Sequence, residues 1–361
     1  KYYKLAASQG HVDALFNLGI MNDCGRGVPR SDAEAFKYYK LAADHGHADA
    51  QCAVGEMHEN GRGVGQSDTE AVKYYRLAAG QGLARAQYNL GQMHEFGGGV
   101  DQNDDEAFKF YKLAADHGHA DAQCAVGVMH EFGRGVGQSD TEAVKYYRLA
   151  AGHGVADAQY NLGLMNECGR GVQQSDTEAV KYYKLAADQG LASAQNNLGL
   201  MHEFGRGVGQ SDTEAVKYYR MAADQGLASA QYHLGHMHSR GRGVDQSDAE
   251  AFKFYKWAAD HGHSNAQNNL GHFYGNGIGV QQSDTEAFKY YKLAADQGHA
   301  DAQNNLGHFY GDGIGVDPSD AEAFKYYKLA ASQGHVDALF NLGIMNDCGR
   351  GVPRSDAEAF K

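Results

Sequence analysis

The sequence predicts an all-α solenoid of ten tandem helix-turn-helix units. Three observations carry this: a strict 36-residue period, a helix-capping signature opening every unit, and a glycine closing the first helix of every unit. The segment Lys-Tyr/Phe-Tyr-Lys/Arg begins at Lys1, Lys37, Lys73, Lys109, Lys145, Lys181, Lys217, Lys253, Lys289 and Lys325. Lys361 opens an eleventh copy. The copies run without an insertion or deletion, so residues 1–361 read as a single repeat array with no linker.

The elements follow in order from the unit at Ser31. Ser31-Asp-Ala-Glu34 is a capping box whose serine oxygen and glutamate carboxylate serve the first free amides of a helix. Ser67/Glu70, Ser211/Glu214 and Ser355/Glu358 repeat it, and Asn103/Glu106 substitutes asparagine. The first helix is expected to run to about Asp44 and stop at Gly46, a residue free to adopt the left-handed C′ conformation. A second helix is expected from about Ala48 to Glu59, ended by the flexible link Gly61-Arg62-Gly63-Val64.

At 100° per residue, Ala35, Phe36, Tyr38, Tyr39, Leu41, Ala42 and Ala43 cover roughly 220° of the first helix. An arc that wide needs packing on two sides, so stacking of units is required by the pattern. Ala50, Gln51, Val54, Gly55 and Met57 form the repeated face of the second helix, with Gly55 expected to let two backbones approach.

At these residues the chain resembles the Sel1-like repeat family. The pattern A-x-K-Y-Y-K-L-A-A-x-x-G-x-x-x-A-Q-x-x-L-G-x-M/F-x-x-x-G-x-G-V recurs throughout, with Ala125-Val126 in place of Asn-Leu and Leu339 in place of Gln as small departures. The 36-residue period fits that family better than 34-residue TPR units. The resemblance implies a right-handed, TPR-like superhelix that serves as an adaptor or scaffold for protein complexes, and it names no partner.

Composition narrows the functional classes. A formal net charge of −13 argues against nucleic acid as partner, because phosphate binding needs a basic field. No run of about 18 apolar residues is present, so no membrane insertion is expected. Compartment is not legible. Cys24, Cys52, Cys124, Cys168 and Cys348 are read as free thiols. The nineteen histidines, including the pairs at His45/His47 and His117/His119 and the cluster at His233, His236 and His238, lack the spacing of a metal site. Asp101-Gln-Asn-Asp-Asp-Glu is a helix cap and not a calcium loop. No nucleophile, phosphate-cradling or zinc-protease motif occurs, and no metal, cofactor or catalytic residue is expected.

Two surfaces carry the functional expectation. First helices bear an ordered cationic ladder, exemplified by Lys37, Lys40, Lys73, Arg76, Lys109, Lys112, Lys145 and Arg148. It reads either as a groove for acidic partners or as solvated helix charges, Lys37 pairing with Glu34 and Lys40 with Asp44. Second helices bear a variable, largely apolar stripe: Phe16, Ile20, Tyr88, Phe96, Val128, Phe132, Tyr160, Leu164, Leu200, Phe204, Phe340 and Ile344. It reads either as a docking or assembly surface or as contact between neighbouring repeats.

Residues 1–37 and 325–361 are identical at every position. This suggests a window cut from a longer array, a filament of joined subunits, or a closed segment, with Tyr2, Tyr3 and Phe360 wet at the cut ends. The expected function is therefore a non-catalytic scaffold that binds proteins, foremost copies of itself. A discrete adaptor is the alternative, and a hydrolase or RNA-reading repeat protein is a remote one.

Overall fold

The computed structural model describes residues 1–360, in two compact units, Lys1–Tyr182 and Tyr183–Lys361. Lys361 and the side chains of Asp356 and of Phe360, the latter expected to be wet, lie outside the described residues. Twenty-one α-helices and no strand occur among the described residues.

Local chemistry fixes the helix limits. The first helix of the Ser31 unit spans Asp32–Asp44, with the Ser31 hydroxyl accepting from the Glu34 amide at 3.3 Å. The cap recurs at Ser67, Asn103, Ser211 and Ser355. Only the serine half of the expected box carries the cap in this unit, because the Glu34 carboxylate turns instead to Lys37, 3.7 Å away. Gly46 follows with φ +86°, the left-handed turn that ends the helix.

The second helix spans Ala48–Glu59, and the His47 ring nitrogen Nδ1 accepts from the Ala50 amide at 3.2 Å. His11, His119, His263, His299 and His335 cap their helices in the same way. The paired histidines thus hold helix ends. Just behind this cap, the Gln51 amide donates to the Ala43 carbonyl at 3.3 Å and its oxygen accepts from Gln81 at 2.7 Å, tying this unit to the next.

Packing is two-sided, as the wide apolar arc requires. In the first compact unit, helix Asp68–Gly80 contributes Ala71, Val72, Tyr75 and Ala78 to a core shared with Cys52 before it and Ala86, Leu90 and Met93 after it. Gly55 faces the Tyr75 ring: a Cβ there would lie 2.6 Å from Tyr75 Cε1. The helix glycine therefore makes room for a tyrosine ring of the following repeat, where the sequence suggested backbone-to-backbone approach. The second compact unit repeats the arrangement at Gly199/Tyr219, Gly235/Tyr255 and Gly271/Tyr291.

Leu41 departs from expectation. It and its counterparts Leu77, Leu113 and Leu149 stand 40–48% exposed. The reason is angular: Leu41 lies about 20° around the helix from Glu34 and 40° from Lys37, on the polar side.

The inter-helix link is also less free than its glycines suggest. Gly63 takes φ +68° with its α-carbon pressed on the Asp32 backbone, where a Cβ would meet the Asp32 carbonyl oxygen at 2.2 Å. Arg62 reaches from this link to Asp23 and, at 3.0 Å, to Asp32.

Candidate protein-docking surfaces

The arginine of the link builds a recurring polar clamp between repeats. Arg134 bridges Glu95 at 2.6 Å and Asp104 at 3.3 Å; Arg170 bridges Glu131 and Asp140, both at 2.8 Å; Arg242 bridges Glu203 at 2.7 Å and Asp212 at 2.6 Å. The same glutamates accept the phenol protons of Tyr111, Tyr147 and Tyr219, each at 2.6 Å. Burial, then the carboxylate partner, pushes these phenols far above their ordinary range, so they remain donors. Sequence reasoning missed this clamp. A signal was available: serine or glycine replaces the glutamate at Ser239 and Gly275, and the link arginine becomes Ile278 and Ile314, although Arg350 stays where the acid is Gly311 and takes that residue's carbonyl instead.

On the cationic ladder, Lys37, Lys73, Lys109 and Lys145 each pair with the glutamate one turn earlier, the last three at 2.9–3.1 Å. Lys40 and Lys112 pair with Asp44 and Asp116 one turn later. Arg76 and Arg148 face Gly80 and Gly152 at that place and have no ion-pair partner among the described residues. Most of these eight residues are therefore neutralised locally, and the exposed guanidiniums of Arg76 and Arg148 are not.

The stripe on the second helices divides by depth. Phe16 and Ile20 are half-buried, Phe16 lying 5.6 Å from the Tyr39 ring and stacked on His47 at 4.5 Å. Tyr88 repeats this against Tyr111 and His119, and Val128 and Leu200 pack on the cores beside them. Tyr160 and Leu164 are half-buried too. At the last place of the helix, Phe96, Phe132 and Phe204 stand 74%, 64% and 60% exposed. Phe340 and Ile344 are exposed.

All five cysteines are free thiols, Cys52 and Cys124 buried with their pKa values pushed up to about 12 by desolvation. No helix among the described residues is long and apolar enough to cross a membrane.

The sequence model of the Sel1 repeat matches residues 1–11, 12–47, 48–83 and onward in 36-residue steps to 336–361. The chain belongs to the Sel1 repeat family. Each full match joins a second helix to the following first helix, so one Sel1 repeat holds both Gly55 and Tyr75. The SLR-fold protective antigen c5321 of uropathogenic Escherichia coli strains is similar over 99% of this chain and 77% of its own, at 33% identity and TM-score 0.88. A Sel1 repeat protein from Oxalobacter formigenes is similar over 85% and 89%, at 32% identity and TM-score 0.66. No curated protein matches the sequence. As a Sel1 repeat protein, the chain has a fold suited to protein–protein interaction.

Proposed function

We propose that this Sel1 repeat protein is a non-catalytic scaffold that binds other proteins along two repeated apolar lines. One observation carries the reading: repeat after repeat exposes a large apolar side chain at the same place. Leu41, Leu77, Leu113 and Leu149 do so on first helices, and Phe96 and Phe132 on second helices, within one compact unit. Scattered exposed leucines are ordinary on a soluble protein, whereas a periodic line across rigidly stacked helices offers an extended partner several equivalent contacts. Basic residues beside the leucines, including the unpaired Arg76 and Arg148, favour a partner segment that mixes acidic and apolar residues.

The test is a pull-down with Phe96→Asp and Phe132→Asp in one variant and Leu77→Asp and Leu113→Asp in another. Loss of a captured protein with circular dichroism unchanged supports the reading. Capture unaffected by both variants refutes it.

A second reading is that the partner is another copy of the chain, giving lateral or filamentous assembly. It draws support from the identity of residues 1–37 and 325–361, which makes a surface that fits one fit the other. Sedimentation of the purified protein over a concentration series decides it: a constant monomer mass would sink self-association while leaving the scaffold reading intact.

A further inference from the structure

Six pairs of acids recur at clamp positions whose matching link place falls within residues 1–361: Asp23/Asp32, Glu59/Asp68, Glu95/Asp104, Glu131/Asp140, Glu167/Asp176 and Glu203/Asp212. Five have a link arginine at the matching place, Arg62, Arg134, Arg170, Arg206 and Arg242. The pair Glu59/Asp68 has Gly98. Elsewhere, where the first acid is lost, the link residue is isoleucine at Ile278 and Ile314, while Arg350 stays and donates to the Gly311 carbonyl in its place. At Gly98 the cation is gone and both acids remain.

The geometry around Gly98 keeps the rest of the clamp. Tyr75 donates its phenol proton to Glu59 Oε2 at 2.5 Å, as Tyr111, Tyr147 and Tyr219 donate to Oε2 of Glu95, Glu131 and Glu203. In those three glutamates the other oxygen, Oε1, receives the arginine. Glu59 Oε1 and the Asp68 carboxylate have no cationic partner among the described residues. Both line a surface cleft with Gln92, Met93, Phe96 and Gly98. Phe96, at one wall, is the most exposed of the three outward phenylalanines.

We infer that Glu59 and Asp68 form a receptor for the guanidinium of an arginine side chain presented by a partner protein. Four resolved clamps in the same chain, at Arg62, Arg134, Arg170 and Arg242, show this donor arrangement holding a guanidinium. A planar fork with several N–H donors satisfies two carboxylates at once, which a lysine ammonium on its point-like head does less well. The phenyl face of Phe96 supplies a surface on which a guanidinium stacks. The inference rests on the scaffold reading for its partner, and it assigns one repeat, at Glu59–Gly98, as the place where a partner's register is fixed.

The probe is Nα-acetyl-arginine amide, titrated into the full chain and followed by the methyl signal of Met93, with the lysine analogue as control. Saturation in the millimolar range, roughly tenfold weaker for lysine, is expected. Gly98→Arg is expected to abolish it, since a tethered guanidinium then fills the site. Gly98 has no positive φ; a Cβ there would lie 2.8 Å from Met93 Sδ, so the substitution requires that flexible side chain to shift, as Met57 and Met129 stand beside Arg62 and Arg134. Glu59→Gln, which keeps an acceptor for Tyr75, is expected to weaken binding at least tenfold. The thermal midpoint of Gly98→Arg should equal or exceed that of the parent, which guards against misfolding as the cause. Equal titration of parent and Gly98→Arg, equal affinity for lysine, or no saturation in the parent would overturn the inference. None of these bears on the pull-down, so the scaffold reading stands or falls separately.

Discussion

Acidification should destabilise the second compact unit through His233. Its partly buried ring stacks on Tyr219 at 4.8 Å and meets Tyr232 at 5.5 Å. Burial lowers its pKa from 6.5 to about 4, opposed by the Glu203 charge and reinforced by His263 and His236. The unfolded chain therefore takes up a proton below about pH 6.5 that the folded chain refuses until about pH 4. The contribution is fully present above that window and is lost as pH falls through it. With about 1.4 kcal/mol per pKa unit, a fall from about pH 7 to about pH 4.5 removes roughly 2 kcal/mol. The control is His233→Asn, since asparagine stands at this place in the adjacent units, at Asn197 and Asn269. Urea unfolding at both pH values should show the variant losing about 2 kcal/mol less than the parent, the other histidines cancelling in the difference. Repeat arrays can unfold in segments, so the His233 ring-proton titration by NMR is the direct check. A midpoint near 6.5 in the folded protein, or equal losses in both proteins, would refute the reasoning.

Two further perturbations probe the packing and the clamp. Gly91→Ala places a Cβ 2.5 Å from Tyr111 Cδ1, a rigid ring atom, and should cost about 1–3 kcal/mol in thermal or denaturant unfolding. Arg170→Met leaves the largely buried Glu131 with Tyr147 alone and should cost about 1–2 kcal/mol, discounted for the exposure of the arginine. The exposed pair Lys109/Glu106 provides the contrast: Lys109→Ala should change stability by less than about 0.5 kcal/mol in the same assay.

Much of the fold was legible because it is encoded locally. Ser31 marks a helix start and Gly46 a helix end through groups a few residues apart, so Asp32–Asp44 and Ala48–Glu59 fall where the sequence put them. Pairing of Lys37 with Glu34 is local in the same way. What the sequence obscured depends on neighbours a whole unit away. Phe16 and Tyr88 look like an outer stripe on an isolated helix, yet the next repeat brings a tyrosine and a histidine against them. Leu41 looks like core because it adjoins Ala42 and Ala43 in sequence, although its angle puts it with Glu34. Arg62 looked like part of a flexible link because its partners lie 30 and 39 residues earlier. Comparing units at matched positions exposes that coupling, through the joint change of Glu95/Arg134 to Ser239/Ile278.

The seating of Gly63 on the Asp32 backbone has a consequence for how such a gene can grow. The connection is pinned by its main chain at one residue and by the arginine beside it at two carboxylates, leaving no slack to absorb an added or missing amino acid. A one-residue insertion would detach the glycine from its seat and swing the guanidinium off both acids. Duplication or loss of complete modules preserves every such junction. Variation in copy number is then the permitted route to a longer or shorter molecule, and in-frame indels inside a module are the forbidden one.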